Sequence, residues 1–182
     1  MSLYRVSTFG NKTTFVGIQN YINLFNNEQY LSSVKLTVIY VGLSVTLSIF
    51  LGFIIAMLLT QNVPGTKLYR TFLFAPYAIS PAIAGTLWTF LLNPVVGHVN
   101  YVFMKLFGLQ VEWLTSKPYA FYALIFATVW KILPFNMIFY IASIQNVSGD
   151  LLEAATLDGA GVMKKPWRII FPLVSPITFY LV

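Results

Sequence analysis

The stretch Leu36–Leu59 reads LTVIYVGLSVTLSIFLGFIIAMLL and decides the class of fold. No charge falls between Lys35 and Lys67. About 20 apolar residues cover the hydrocarbon core of a bilayer, and in lipid each backbone N–H and C=O must find its partner inside the segment. The run is therefore read as a transmembrane helix over about residues 36–60. Composition extends this reading to the whole chain. It is 58% hydrophobic and 9% charged, with mean hydropathy +0.75, whereas a soluble domain is about a quarter charged. A net charge of +6 does not point to nucleic acid, because the basic residues are spread through the loops rather than gathered in a run. The absence of cysteine excludes disulfides, thiolate metal sites and a cysteine nucleophile. His98 stands alone, and a lone histidine makes no metal centre.

Toward the N-terminus, residues 1–33 hold neither a span nor an apolar run followed by a signal-type cleavage site. Phe15, Ile18, Ile22 and Phe25 recur at three- and four-residue steps, as in a short amphipathic helix on a membrane surface or packed on the spans. Gly42 and Gly52 would let a neighbouring helix approach, although their spacing is not that of a dimerisation motif. Toward the C-terminus, Gln61–Gly65 reads as a turn.

A second span is expected over about 71–92. Pro76 and Pro81 each remove a helix hydrogen bond, so this span is bent or broken. Ser80 and Pro81 then sit either at a packing kink or on a helix lining a substrate path. Tyr101–Phe107 reads as a short interfacial helix, and Trp113 suits headgroup depth. A third span is expected over about 119–147, with Lys131 near its middle and Asn136 beyond Pro134. A mid-membrane lysine costs roughly 2.5–3.5 kcal/mol on insertion scales. It must face a cavity, a carboxylate or carbonyls freed by Pro134, in either a structural or a path-lining role. A fourth span begins at Leu173.

Between the third and fourth spans lies the longest charged, small-residue segment, DLLEAATLDGAGVMKKPWRIIFP (Asp150–Pro172). Asp150 reads as an N-cap with Glu153 reaching back, the acidic variant of a capping box. Gly159 and Gly161 end that helix or permit a left-handed turn. Pro166 suits the first turn of a second helix. Basic residues tie in number on the two sides. Lys67, Arg70, Lys164, Lys165 and Arg168 stand in tight clusters near span ends, which favours their loops as cytoplasmic.

In this segment Glu153-Ala154-Ala155, three residues, Gly159, nine residues, Ile169, one residue and Phe171-Pro172 resemble the EAA loop of permeases of binding-protein-dependent ABC importers. One position departs, with Phe171 where leucine is usual. Phe15–Tyr21, Pro76–Ala82, Leu87-Trp88, Asn93-Pro94 and Val129-Trp130-Lys131 resemble the sugar-type branch, including permeases for sn-glycerol-3-phosphate. The resemblance implies an all-α membrane protein of the bacterial inner membrane. It has three complete transmembrane helices plus the start of a fourth, with a cytoplasmic coupling loop at 148–172 inside a permease core of 34–182. It implies that Glu153, Ala154, Ala155, Asp158, Gly159, Ala160, Ile169 and Pro172 form the ATPase-coupling loop. Lys131, Asn136, Ser80 and Pro81 are candidates for the translocation path.

The implied partners are a second permease subunit, a dimer of ATP-binding subunits, a periplasmic solute-binding protein and the lipid bilayer. No cofactor is expected on this chain. It has no G-x-x-x-x-G-K-[ST] sequence, so ATP belongs to the partner subunit and the chain is not expected to be an enzyme. The family pattern adds a span before Phe15 and about two after the loop, so the sequence reads as truncated at both ends. The competing reading is a non-transporting remnant or accessory membrane protein.

Overall fold

A computed structural model describes residues 3–6, 13–61, 65–161 and 164–182. They fall into two compact units, Met1–Gly42 and Leu43–Val182.

In the first unit, strands β1 (Tyr4–Val6) and β2 (Thr13–Phe15) pair antiparallel, with Tyr4 opposite Phe15. Their rings meet edge-on at 5.3 Å. Gly17 turns the chain at φ +54° into α1 (Gln19–Phe25). The expected amphipathic helix is thus shorter than its apolar spacing implies. Phe15 belongs to a strand, and Ile18 precedes the helix as its cap residue. The long helix α2 (Glu28–Leu59) starts well before Leu36 because Asn27 caps it. The Asn27 Oδ1 accepts from the N–H groups of Gln29 (2.9 Å) and Tyr30 (3.1 Å), the two orphan donors an N-cap serves. Lys35 consequently lies within the helix.

The second unit contains the rest of α2, then α3 (Thr66–Ala78), α4 (Pro81–Leu91), α5 (His98–Phe107) and α6 (Lys117–Gln145). These are followed by α7 (Gly149–Leu157), a π-helical turn (Pro166–Ile170) and α8 (Phe171–Leu181). Among the described residues, α2 and α6 are long and apolar enough to cross a membrane. The expected second span is two helices, α3 and α4, separated at Ile79-Ser80. The expected turn at Gln61–Gly65 lies mostly outside the described residues. Of it, Gly65 is described and takes φ +84° at the start of α3.

The core of this unit joins α2, α6 and α8. Phe53, Ala56 and Leu59 pack with Met137, Tyr140, Ile141 and Ile144, and with Ile170 and Val174. Gly52 makes that approach possible: a Cβ there would stand 3.0 Å from the Asn136 Cβ and 3.3 Å from the Met137 nitrogen. Gly42 has no such neighbour. Polar pairs lock the same surfaces. Asn136 Nδ2 donates to Ser48 Oγ (3.1 Å), and the Tyr140 and Thr178 hydroxyls bond at 2.8 Å. Pro134 lies buried inside α6 without ending it. Many large apolar side chains on the long helices remain exposed, among them Leu58, Tyr122 and Phe126, as lipid-facing surfaces do.

The connection from α4 to α6 is built around Asn100, which is 4% exposed. Its Oδ1 accepts from the Val111 N–H (3.1 Å) and the Trp113 Nε1–H (3.0 Å). Its Nδ2 donates to the carbonyls of Val111 (2.9 Å) and Asn93 (3.4 Å). Gly97 is required there, since a Cβ would fall 2.3 Å from the Asn93 oxygen. The short helix expected over Tyr101–Phe107 is α5, which begins three residues earlier, at His98.

Candidate functional site

Two regions hold the residues singled out in the sequence. The first is the break between α3 and α4. The residue before a proline is pushed toward extended backbone, and Ile79 (ψ 137°) and Ser80 (ψ 150°) are both extended. Ser80 caps α4, its Oγ accepting from the Ile83 N–H at 3.3 Å, and Pro81 occupies the first turn. This local chemistry strands carbonyls. In a continuous helix the Tyr77 oxygen would take the N–H of residue 81, but proline has none. The Ile79 oxygen would take the Ile83 N–H, which Ser80 Oγ has captured. The Pro76 oxygen loses its partner because the chain turns away at Ile79.

Lys131 fills this gap. Its Nζ donates to the carbonyls of Pro76 (2.9 Å), Tyr77 (2.9 Å) and Ile79. It also lies 5.5 Å from the Tyr77 ring centroid. A lysine ammonium has three N–H donors, and three carbonyls take them. Of the three environments expected for this lysine, it lines a cavity and its acceptors are carbonyls, but these belong to the α3–α4 break and not to the turn freed by Pro134.

Aromatic pairs seat the break on α6 from both sides. Tyr77 stacks on Phe135 at 5.5 Å. Trp88 meets Phe126 and Trp130 edge-on at 5.3 and 5.5 Å. Between α4 and α6 lies a cleft of about 420 Å³, with Pro81, Gly85, Trp88, Thr89, Thr128 and Lys131 in its walls. Of the four candidate path residues, Pro81 and Lys131 line this cleft and Ser80 caps the helix beside it. Asn136 is not brought there; it is 2% exposed and held by Ser48.

The second region is the segment after α6. Helix α7 begins at Gly149, with Ser148 as N-cap and no capping bond from its side chain. Asp150 sits inside the first turn, so the expected capping box between Asp150 and Glu153 does not form. Negative charge near a helix start is still favoured by the dipole. The other end closes as a Schellman motif. The Ala160 N–H bonds the Ala155 oxygen (2.9 Å), the Gly159 N–H bonds the Thr156 oxygen (3.0 Å), and Gly159 takes φ +81°.

No residue of α7 is buried. Glu153, Ala154, Asp158 and Gly159 are exposed, and Ala155 and Ala160 half-buried. Leu157, which the sequence reading passed over, is 85% exposed, and Leu151 is exposed too. An apolar residue left in solvent on a small-residue helix was its available signal. Lys165 Nζ donates to Thr156 Oγ1 at 2.5 Å, tying the helix to the segment behind it. Val162 and Met163 lie outside the described residues.

Pro172 has no N–H, and the preceding turn widens, with the Phe171 N–H bonding the Pro166 oxygen. Trp167 packs against Phe50, Phe53 and Phe171 at 5.5–6.0 Å between ring centroids. Ile169 is half-buried and Pro172 exposed, while Ile170 is the buried residue of this turn. Arg70 Nη2 donates to the Leu59 oxygen at 3.0 Å, a cation at a helix C-terminus.

Comparison with known proteins follows this geometry. Residues 14–182 match the family described as "Binding-protein-dependent transport system inner membrane component". The chain is 37% identical over 180 residues to the sn-glycerol-3-phosphate transport system permease protein UgpA of Agrobacterium fabrum, and 34% identical to that of Yersinia pestis. Each match covers 99% of this chain and 61% of the relative, so the chain spans about three fifths of their length. Among solved structures, a bacterial ABC transporter involved in the import of the acidic polysaccharide alginate aligns with TM-score 0.83 at 27% identity. It covers 92% of this chain and 59% of that one. The alginate transporter in complex with an alginate pentasaccharide-bound periplasmic protein aligns with TM-score 0.82, also at 27% identity, over 89% and 57%.

Proposed function

The chain belongs to the family of binding-protein-dependent transport system inner membrane components, and from that premise we propose that it is a permease subunit of an ABC importer. It moves a small polar solute, glycerol-3-phosphate or a sugar, across the inner membrane while a separate subunit hydrolyses ATP. The observation that carries this reading is α7: a short helix with Ala154 and Ala155 at its centre and no fully buried residue, closed at Gly159 and following directly on the long helix α6. A helix in that position is suited to dock on a partner in the cytoplasm and to pass the partner's movement into α6. Glu153, Ala154, Ala155 and Gly159 form the docking element. Leu151 and Leu157 add apolar contact, and the half-buried Ile169 with Pro172 fixes the return into the membrane.

In this reading α2, the pair α3–α4, and α6 are three spans. Helices of 13 and 11 residues measure about 20 and 16 Å at 1.5 Å per residue. Neither crosses about 30 Å of hydrocarbon alone, but end to end the two do. A fourth span begins with α8. A second permease subunit, a pair of ATP-binding subunits and a periplasmic binding protein complete the importer. The substrate class follows the UgpA relatives.

The test is reconstitution with those partners in proteoliposomes, with ATP supplied and labelled glycerol-3-phosphate or a neutral sugar as solute. ATP-dependent uptake is expected. Gly159→Val is expected to abolish both uptake and co-purification with the ATP-binding subunit. Uptake that needs no ATP, or association indifferent to Gly159→Val, would reject the coupling role.

A further inference from the structure

We propose that Lys131 is a positioning residue that clamps α6 to the hinge between α3 and α4, so that a movement of α6 is carried to the wall of the cleft that α4 forms. The transport consequence rests on the importer reading above; the clamp itself does not. Ile79 and Ser80 are extended, so no helix hydrogen bonds hold α3 and α4 in line across them, and the angle between the two helices is set by what packs against them. Lys131 binds the three carbonyls that the hinge strands. Hydrogen bonds from a charged donor are stronger than neutral ones, and a low-dielectric site strengthens them further. The aromatic contacts of Tyr77 with Phe135 and Trp88 with Trp130 flank the clamp.

From Lys131 to the end of α6 at Gln145 is about 21 Å of helix, continuous through Pro134, and α7 follows. The hinge and α7 are therefore mechanically linked through one element. A lysine offered to an anionic solute would keep a donor free. Here all three N–H groups are engaged by backbone, so the side chain serves the hinge rather than the solute.

The chain has no cysteine, which makes Gly85→Cys a clean reporter. Gly85 lines the cleft, and a Cβ there meets nothing within 4 Å. Membranes carrying Gly85→Cys are labelled with a water-soluble maleimide, with Lys131, Lys131→Met or Lys131→Arg beside it. Loss of the clamp in Lys131→Met is expected to raise the labelling rate about tenfold, the factor matching loss of one to two part-buried hydrogen bonds. Arginine, which keeps the charge and several donors, is expected to stay within about twofold of the parent.

In reconstituted transport, Lys131→Met is expected to lower the maximal uptake rate about tenfold with KM nearly unchanged and ATP hydrolysis retained, since coupling rather than solute binding is lost. If Lys131→Met does not accumulate, Lys131→Gln is judged by the same criteria, because its shorter neutral amide cannot reach three carbonyls. Labelling and uptake unchanged in the neutral variant would overturn the clamp, as would an arginine variant no better than the neutral one. A rise in KM alone would overturn it in favour of solute binding. A parent that shows no ATP-dependent uptake rejects the importer reading, and the labelling arm still decides the clamp.

Discussion

Single atoms decide how closely α2 and α6 approach. Gly52 faces Asn136 and the backbone of Met137, so Gly52→Ala must push the helices apart. Overpacking of this kind costs about 1–3 kcal/mol, and a lower thermal midpoint in detergent is the expected outcome. Gly42→Ala, with open space around it, is expected to leave that midpoint unchanged and serves as the control. Asn100 is the corresponding residue of the α4–α6 connection. Asn100→Leu strands the Val111 N–H, the Trp113 Nε1–H and two carbonyls, each a cost of about 1–3 kcal/mol if it stays buried. The connection is expected to loosen, read as faster tryptic cleavage after Lys105, which is exposed in α5. The sequence reading marked Asn93-Pro94 and Trp113 but missed Asn100, because one asparagine within a short connecting helix carries no spacing signal.

Helix α7 depends on how its ends are closed. Its N-cap, Ser148, makes no side-chain capping bond, so Ser148→Ala is expected to leave binding of the proposed ATP-binding subunit unchanged. Gly159 at φ +81° is different: a β-branched residue there costs about 1–2 kcal/mol in the left-handed region. Gly159→Val should therefore unwind the Schellman turn and displace Glu153 and Leu157 together, measured as lost co-purification. The paired outcome separates an end closed by glycine from one closed by a cap. The glycine was legible because positive φ is a property of that residue type. The cap was misplaced because serine, glycine and aspartate stand side by side at 148–150, and the pattern alone does not choose among them.

For the whole molecule, the clustered cations favour the proposed topology, in which α7 and α5 lie on opposite sides of the membrane. In the cysteine-free chain, an impermeant thiol reagent applied to spheroplasts is expected to label Lys105→Cys and to leave Glu153→Cys unlabelled until the membrane is opened. Labelling of both from outside would reject this topology.

The amino-acid sequence by itself determined the long apolar helices, an interruption of the second span at Pro76 or Pro81, of which only Pro81 breaks the helix, and the spacing of the α7 segment. These follow from side-chain transfer energy, a missing N–H and a glycine's backbone freedom, all local properties. It did not determine what Lys131 or Asn136 would touch. Lys131 meets carbonyls 52–55 residues away, and Asn136 meets a serine 88 residues away. Two mid-helix polar residues five positions apart read alike in sequence. Only the packing of α6, with one face on the α3–α4 hinge and another on α2, made the first a candidate clamp and the second an interhelical bond.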